Sequence, residues 1–133
     1  MDAIKQYMQP KWWLIVVGAI FTIFALLTYM DGDGAAETGW GNDYTANDVF
    51  YEKAWGANVL MIAIIALVSG FLIKGRALSI IAMTIAGVNI LSFILVYLAA
   101  GDLEYGFLDP SNAAPPMVIA VGLFLSGYLH LED

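Results

Sequence analysis

The chain has no cysteine and a single histidine among its 133 residues. Without a thiol it can form no disulfide, no thiolate nucleophile and no thiolate metal centre, which excludes the thiol oxidoreductases of the membrane. The lone histidine, His130, cannot supply both axial haem ligands from one chain. Lying beside Glu132 and Asp133 after the last apolar run, it reads as an interfacial residue with no special duty. Charge is scarce too: Asp, Glu, Lys and Arg make up 13% of the residues, about half the share in soluble domains. Five cations against twelve carboxylates argue against nucleic acid as a partner. P-loop, dinucleotide, zincin and nucleic-acid signatures are all missing. No cofactor is implied.

What the chain does contain is apolar. Hydrophobic residues account for 61% and the mean hydropathy is +0.78, a composition that belongs in lipid. Four runs, residues 12–30, 54–73, 77–98 and 115–131, are each about long enough to cross the hydrocarbon core. Together with their connections they use the whole length, leaving no room for a soluble catalytic domain. The expected fold is a single domain over residues 1–133: an all-α integral membrane protein, an antiparallel four-helix transmembrane bundle with acidic, aromatic extracytoplasmic loops.

The connections differ sharply in length. Residues 74–76, Lys-Gly-Arg, form a turn suited to a helical hairpin. Residues 31–53 and 99–114 are expected as external loops, the first opening with a glycine- and carboxylate-rich stretch, 31–44, that has no apolar period. Thr45 and Asp48 have the spacing of a capping box and predict that the second helix starts outside the membrane. Ahead of the first span, Ile4, Tyr7 and Met8 share a helical face of a short interfacial segment ended by Pro10. Lys11, Trp12 and Trp13 then form an interfacial anchor. Pro115 and Pro116 suit the first turn of the last helix.

Charge predicts the orientation. Lys5, Lys11, Lys74 and Arg76 fall on the side of the termini and the short turn, while Lys53 is the one cation among nine carboxylates on the other. The positive-inside rule places both termini in the cytoplasm of a multi-pass plasma-membrane protein.

Few residues within the spans can carry chemistry. Asn89 is the most polar side chain near the midplane, with Thr84 and Ser92 close in sequence and Asn58 on the preceding span. An amide at that depth needs a hydrogen-bond partner, so an interhelical bond is expected, and the same four residues are the candidates for a polar permeation path. Small residues recur at four-residue spacing, as in Gly18 and Thr22, Ala66 and Gly70, Ala82 and Ala86, and Gly122 and Ser126, a pattern that lets helices approach closely. No ionisable residue occupies a midplane, unlike ion-coupled carriers.

The acidic loops are expected to form a solvated face. Asp31, Asp33 and Glu37 are weak candidates for a divalent cation, because Asp-Gly-Asp-Gly opens like a calcium loop but Ala35 and Asn42 stand where an EF-hand needs ligands. Trp40, Tyr44, Phe50 and Tyr105 give the same region an aromatic surface and are the candidates for partner contact. The functional expectation is a non-enzymatic interaction protein, either an accessory subunit of a larger membrane complex or a homo-oligomer. A passive channel or facilitator for a cation or small molecule is the alternative, and a membrane enzyme or redox subunit relying on a partner comes third.

Overall fold

A computed structural model of the protein describes residues 2–132. It is helical, with no strand among the described residues. The elements are α1 (Asp2–Tyr7), α2 (Pro10–Met30), α3 (Gly32–Trp40), α4 (Ala46–Leu72), α5 (Gly75–Ala100), a 3-10 turn (Gly106–Leu108) and α6 (Pro110–Leu129). Four helices are long and apolar enough to cross a membrane, those ending at Met30, Leu72, Ala100 and Leu129. Their outward faces are apolar, with Ile23, Leu27, Phe71, Leu72, Leu98 and Val118 each at least 60% exposed, a surface that suits an apolar surrounding.

The four long helices associate as two pairs. α2 lies along α4 and α5 along α6, whereas α4 and α5, joined through only Ile73 and Lys74, touch far less. In the first pair the seam is made of small residues one heptad apart, Gly18 and Ala25 on α2 and Gly56, Ala63 and Gly70 on α4, all buried. A Cβ at Gly18 would stand 2.9 Å from the Ala63 carbonyl oxygen, so glycine sets the distance of closest approach. In the second pair Gly127 faces Ser79 and Met83.

The two pairs meet at the end that carries the short turn, here the turn end. Leu14, Val17, Ala66, Leu78, Ala82, Ile85, Ala86 and Leu123 form one buried cluster there. Of the four-residue pairs of small residues, Ala66 with Gly70 and Ala82 with Ala86 are buried together. Thr22 instead donates from Oγ1 to the Gly18 carbonyl of its own helix at 2.7 Å. His130 departs from the expectation of an idle interfacial residue. It is buried, its Nε2 lies 3.0 Å from the Lys5 carbonyl, and its own carbonyl accepts from Ser79 Oγ at 2.9 Å. Because a carbonyl only accepts, Nε2 carries the proton. The bond ties α1 to the end of α6.

Two further expectations need correction. Residues 32–40 are the helix α3 rather than an irregular loop. Asp31 closes α2 and caps α3, accepting from the Gly34 amide at 3.1 Å, so the side chain supplies the nucleus that glycine-rich sequence lacks. The last helix begins at Pro110, not at Pro115 and Pro116, which lie inside it. Pro110 takes the first-turn position where its missing N–H costs nothing, and the two later prolines leave the Ser111 and Asn112 carbonyls without their helical donors. The capping box is as expected: Asp48 Oδ2 accepts from the Thr45 amide and hydroxyl, both at 2.7 Å.

Candidate functional site

The opposite end, here the loop end, carries α3, the 3-10 turn and nine of the twelve carboxylates. One of them, Glu52, is fully buried, against the expectation of a solvated acidic face. It lies one turn before Gly56 on the seam of α4, where the register that packs Gly56, Ala63 and Gly70 places it under α3. Its Oε1 accepts from Trp40 Nε1 at 3.1 Å and from the Tyr105 hydroxyl at 2.8 Å. Its Oε2 is buried with no hydrogen-bond partner among the described residues. One carboxyl oxygen therefore fastens both connections, α3 and the segment before the 3-10 turn, to the top of α4.

Two glycines make this arrangement possible. A Cβ at Gly39 would sit 2.7 Å from the Tyr105 ring, and one at Gly106 would collide with the Thr38 carbonyl oxygen. Aromatic rings continue the assembly. Trp40 and Tyr105 are 4.8 Å apart, Tyr105 and Phe107 5.6 Å, Phe107 and Trp55 6.3 Å, and Trp55 meets Phe24 of α2 edge-on at 5.9 Å. Burial, and after it the charge of Glu52, pushes the Tyr105 phenol well above its usual range, so it stays protonated and donates throughout the physiological range.

Below this cap the helix pairs separate and leave a cleft of about 640 Å³. Its walls come from all four long helices and the 3-10 turn, with Phe21 and Phe24 on α2, Trp55 and Val59 on α4, Phe93 and Val96 on α5, and Pro115 and Ile119 on α6. The lining is predominantly apolar. Polar exceptions are Asn58, Asn89, Ser92 and Asn112.

Three of the four midplane candidates thus share one cavity, and Thr84 does not line it. Thr84 is exposed on the outside of α5. The expected interhelical amide bond is not found among the described residues. Asn58 Nδ2 donates to the Ala54 carbonyl at 2.8 Å and Asn89 Nδ2 to the Ile85 carbonyl at 3.0 Å, each within its own helix. A backbone carbonyl one turn away satisfies the amide at a smaller entropic cost than a partner on another helix.

The remaining candidates divide. Trp40 and Tyr105 turn inward to Glu52, and Tyr105 is buried. Phe50 stands 74% exposed. Tyr44 is half-buried, with its hydroxyl 3.4 Å from Asp33 Oδ1. Of the weak cation candidates, Asp31 caps α3, Asp33 faces Tyr44, and Glu37 is exposed. Among the described residues no three acidic or histidine side chains are placed to hold a metal.

A smaller cavity of about 420 Å³ adjoins the cleft at Tyr105 and Leu108, which line both. It is more polar and includes Glu104 and Asp109. No family model, curated protein or solved structure matches this chain.

Proposed function

We propose that this protein is a non-enzymatic interaction protein of a cell membrane, an accessory subunit that works through its loop end, with both termini in the cytoplasm. The carrying observation is the Glu52 assembly. Two connections are fastened to α4 by one buried carboxyl, a degree of order that a mere link between spans does not require. Beside it Phe50 is left outside, a large exposed ring on an ordered scaffold, which is the form an interface anchor takes. The positive-inside distribution supports the orientation.

The facilitator reading draws on a different observation, the presence of Asn58, Asn89 and Ser92 on one cavity wall. Against it, Leu14, Val17, Leu78 and Leu123 pack together at the turn end, where a passage through a single copy would need space.

A photoreactive residue at position 50, introduced in the native membrane, is expected to trap one protein at constant stoichiometry. The same residue at position 88, on the lipid side of α5, should trap none. Adducts with a second copy would make the protein a homo-oligomer. Lipid adducts alone at both positions would remove the accessory reading and leave the facilitator first, with liposome flux as the next measurement.

A further inference from the structure

The cleft is a property of a single chain and is independent of the accessory reading. Its size restricts what can fill it. One turn of α-helix, about 10 Å across and 5.4 Å tall, occupies roughly 400 Å³, so about 640 Å³ cannot receive a spanning helix of a partner. At roughly 30 Å³ for each heavy atom, the share of a water molecule in the liquid, the space suits about 20 non-hydrogen atoms. That is the scale of one long acyl chain.

The entrance faces lipid. Ile20 on α2 and Ser92 and Leu95 on α5 line the cleft and are themselves exposed, Ile20 by 44% and Leu95 by 55%. At the loop end the polar cavity with Glu104 and Asp109 adjoins the cleft, Tyr105 and Leu108 lining both. The polar cavity carries the two carboxylates Glu104 and Asp109, and the cleft wall next to it carries Asn112, so this end offers acceptors. The one cation of this end, Lys53, is engaged elsewhere, with its Nζ 6.0 Å from the Tyr29 ring centre.

From this juxtaposition we infer that the cleft holds one acyl chain of a membrane lipid whose headgroup carries an ammonium, the chain between the helix pairs and the ammonium among the acceptors of the loop end. The apolar walls take the chain from bilayer to protein with little change in solvation, so packing against the aromatic rings supplies the attraction. Selectivity comes from the head. An anionic headgroup meets Glu104 and Asp109 with like charge, and an ammonium meets them with opposite charge.

The test uses the full chain, purified and delipidated in mild detergent, titrated with phosphatidylethanolamine or phosphatidylglycerol of identical chains and followed by native mass spectrometry. The first equivalent of phosphatidylethanolamine should bind about 10-fold more tightly than phosphatidylglycerol, a difference well above measurement error. Ser92→Trp, which puts a ring into the entrance, should abolish that first equivalent, while Val88→Trp on the outside of α5 should leave it intact. Glu104→Gln with Asp109→Asn should keep the chain site but remove the preference between headgroups.

Because the chain has no cysteine, Ser92→Cys provides a unique thiol, and phosphatidylethanolamine should slow its alkylation in a saturable way. Equal first-equivalent binding in wild type and Ser92→Trp overturns the proposal, as does tighter binding of phosphatidylglycerol. If Ser92→Trp does not fold, alkylation of Ser92→Cys at a rate indifferent to added lipid overturns it as well. Protection of that thiol only when a second copy or another protein binds would assign the cleft to protein contact instead.

Discussion

The turn end and the loop end are built from the same four apolar helices, yet they are held together by different means. At the turn end alanines and leucines, with Val17 and Ile85, bring all four helices into one buried cluster. At the loop end the helix pairs part around a cleft, and cohesion passes to a carboxyl, an indole, a phenol and a chain of rings above it. In lipid an apolar side chain gains little by leaving its solvent, so close approach of small residues and hydrogen bonds decide where helices meet. The contrast shows both devices in one molecule, each at a separate depth.

Substitutions can break the contrast from either side. The largest effect is expected at the seam of the sealed half. Gly18→Leu forces side-chain atoms into the Ala63 carbonyl and the Leu67 side chain, and should lower stability by about 3 kcal/mol, read as reduced thermal stability in detergent with loss of α2–α4 cross-linking. At the loop end, Glu52→Ala leaves the indole and phenol donors of Trp40 and Tyr105 without their acceptor. It should cost about 2 kcal/mol, accompanied by faster proteolysis within residues 31–45 and unchanged exchange protection of residues 78–85. A protected cap in that variant would show that the rings, and not the carboxyl, hold it.

Tyr105→Phe is a milder cut, about 1 kcal/mol, and it has a signature in pH. The phenol's folded pKa lies above its unfolded value, so its contribution is fully present below about pH 10, the free phenol value, and is lost as pH rises through the folded value. Denaturant titrations across that alkaline range should show wild type losing stability that the phenylalanine variant has already given up. The smallest change is expected from Asn89→Leu. Its amide donor is spent on its own helix, so the shift in thermal stability should stay within about 0.5 kcal/mol.

The four spanning helices and the capping box were legible because long uncharged runs and a short polar signature act locally, without reference to the rest of the chain. Residues 32–40 were not. Their helix depends on Asp31 serving two helices at once and on contact with Glu52 and Tyr105, neither of which shows in periodicity. In the sequence Glu52 is one of nine carboxylates expected on a solvated face. A signal for it exists: Glu52 continues the Gly56, Ala63 and Gly70 face of α4, and a carboxylate on a packing seam is a candidate for burial. Asn58, Asn89 and Ser92 stand out in the sequence as polar residues within the spans, while their common cavity depends on how two helix pairs diverge, a property of several elements at once. Trp40 and Tyr105 illustrate the same boundary. Their aromatic character was visible, and the direction in which they point was set by an acceptor 12 and 53 residues away.

The pairing of α2 with α4 and α5 with α6, joined at the packed turn end, has the geometry of a lever. The packed turn end is the fulcrum, and each arm beyond it is a helix pair. A helix of 26 residues, the length of α5, is about 39 Å long at 1.5 Å per residue, so a relative tilt of about 5° displaces the far tips by roughly 3 Å. In that geometry a small rotation at the base corresponds to a shift at the tips comparable to the width of an atom. The cap, fastened to α4 but reaching the second arm through the 3-10 turn, bridges the two tips at the radius where that motion is greatest.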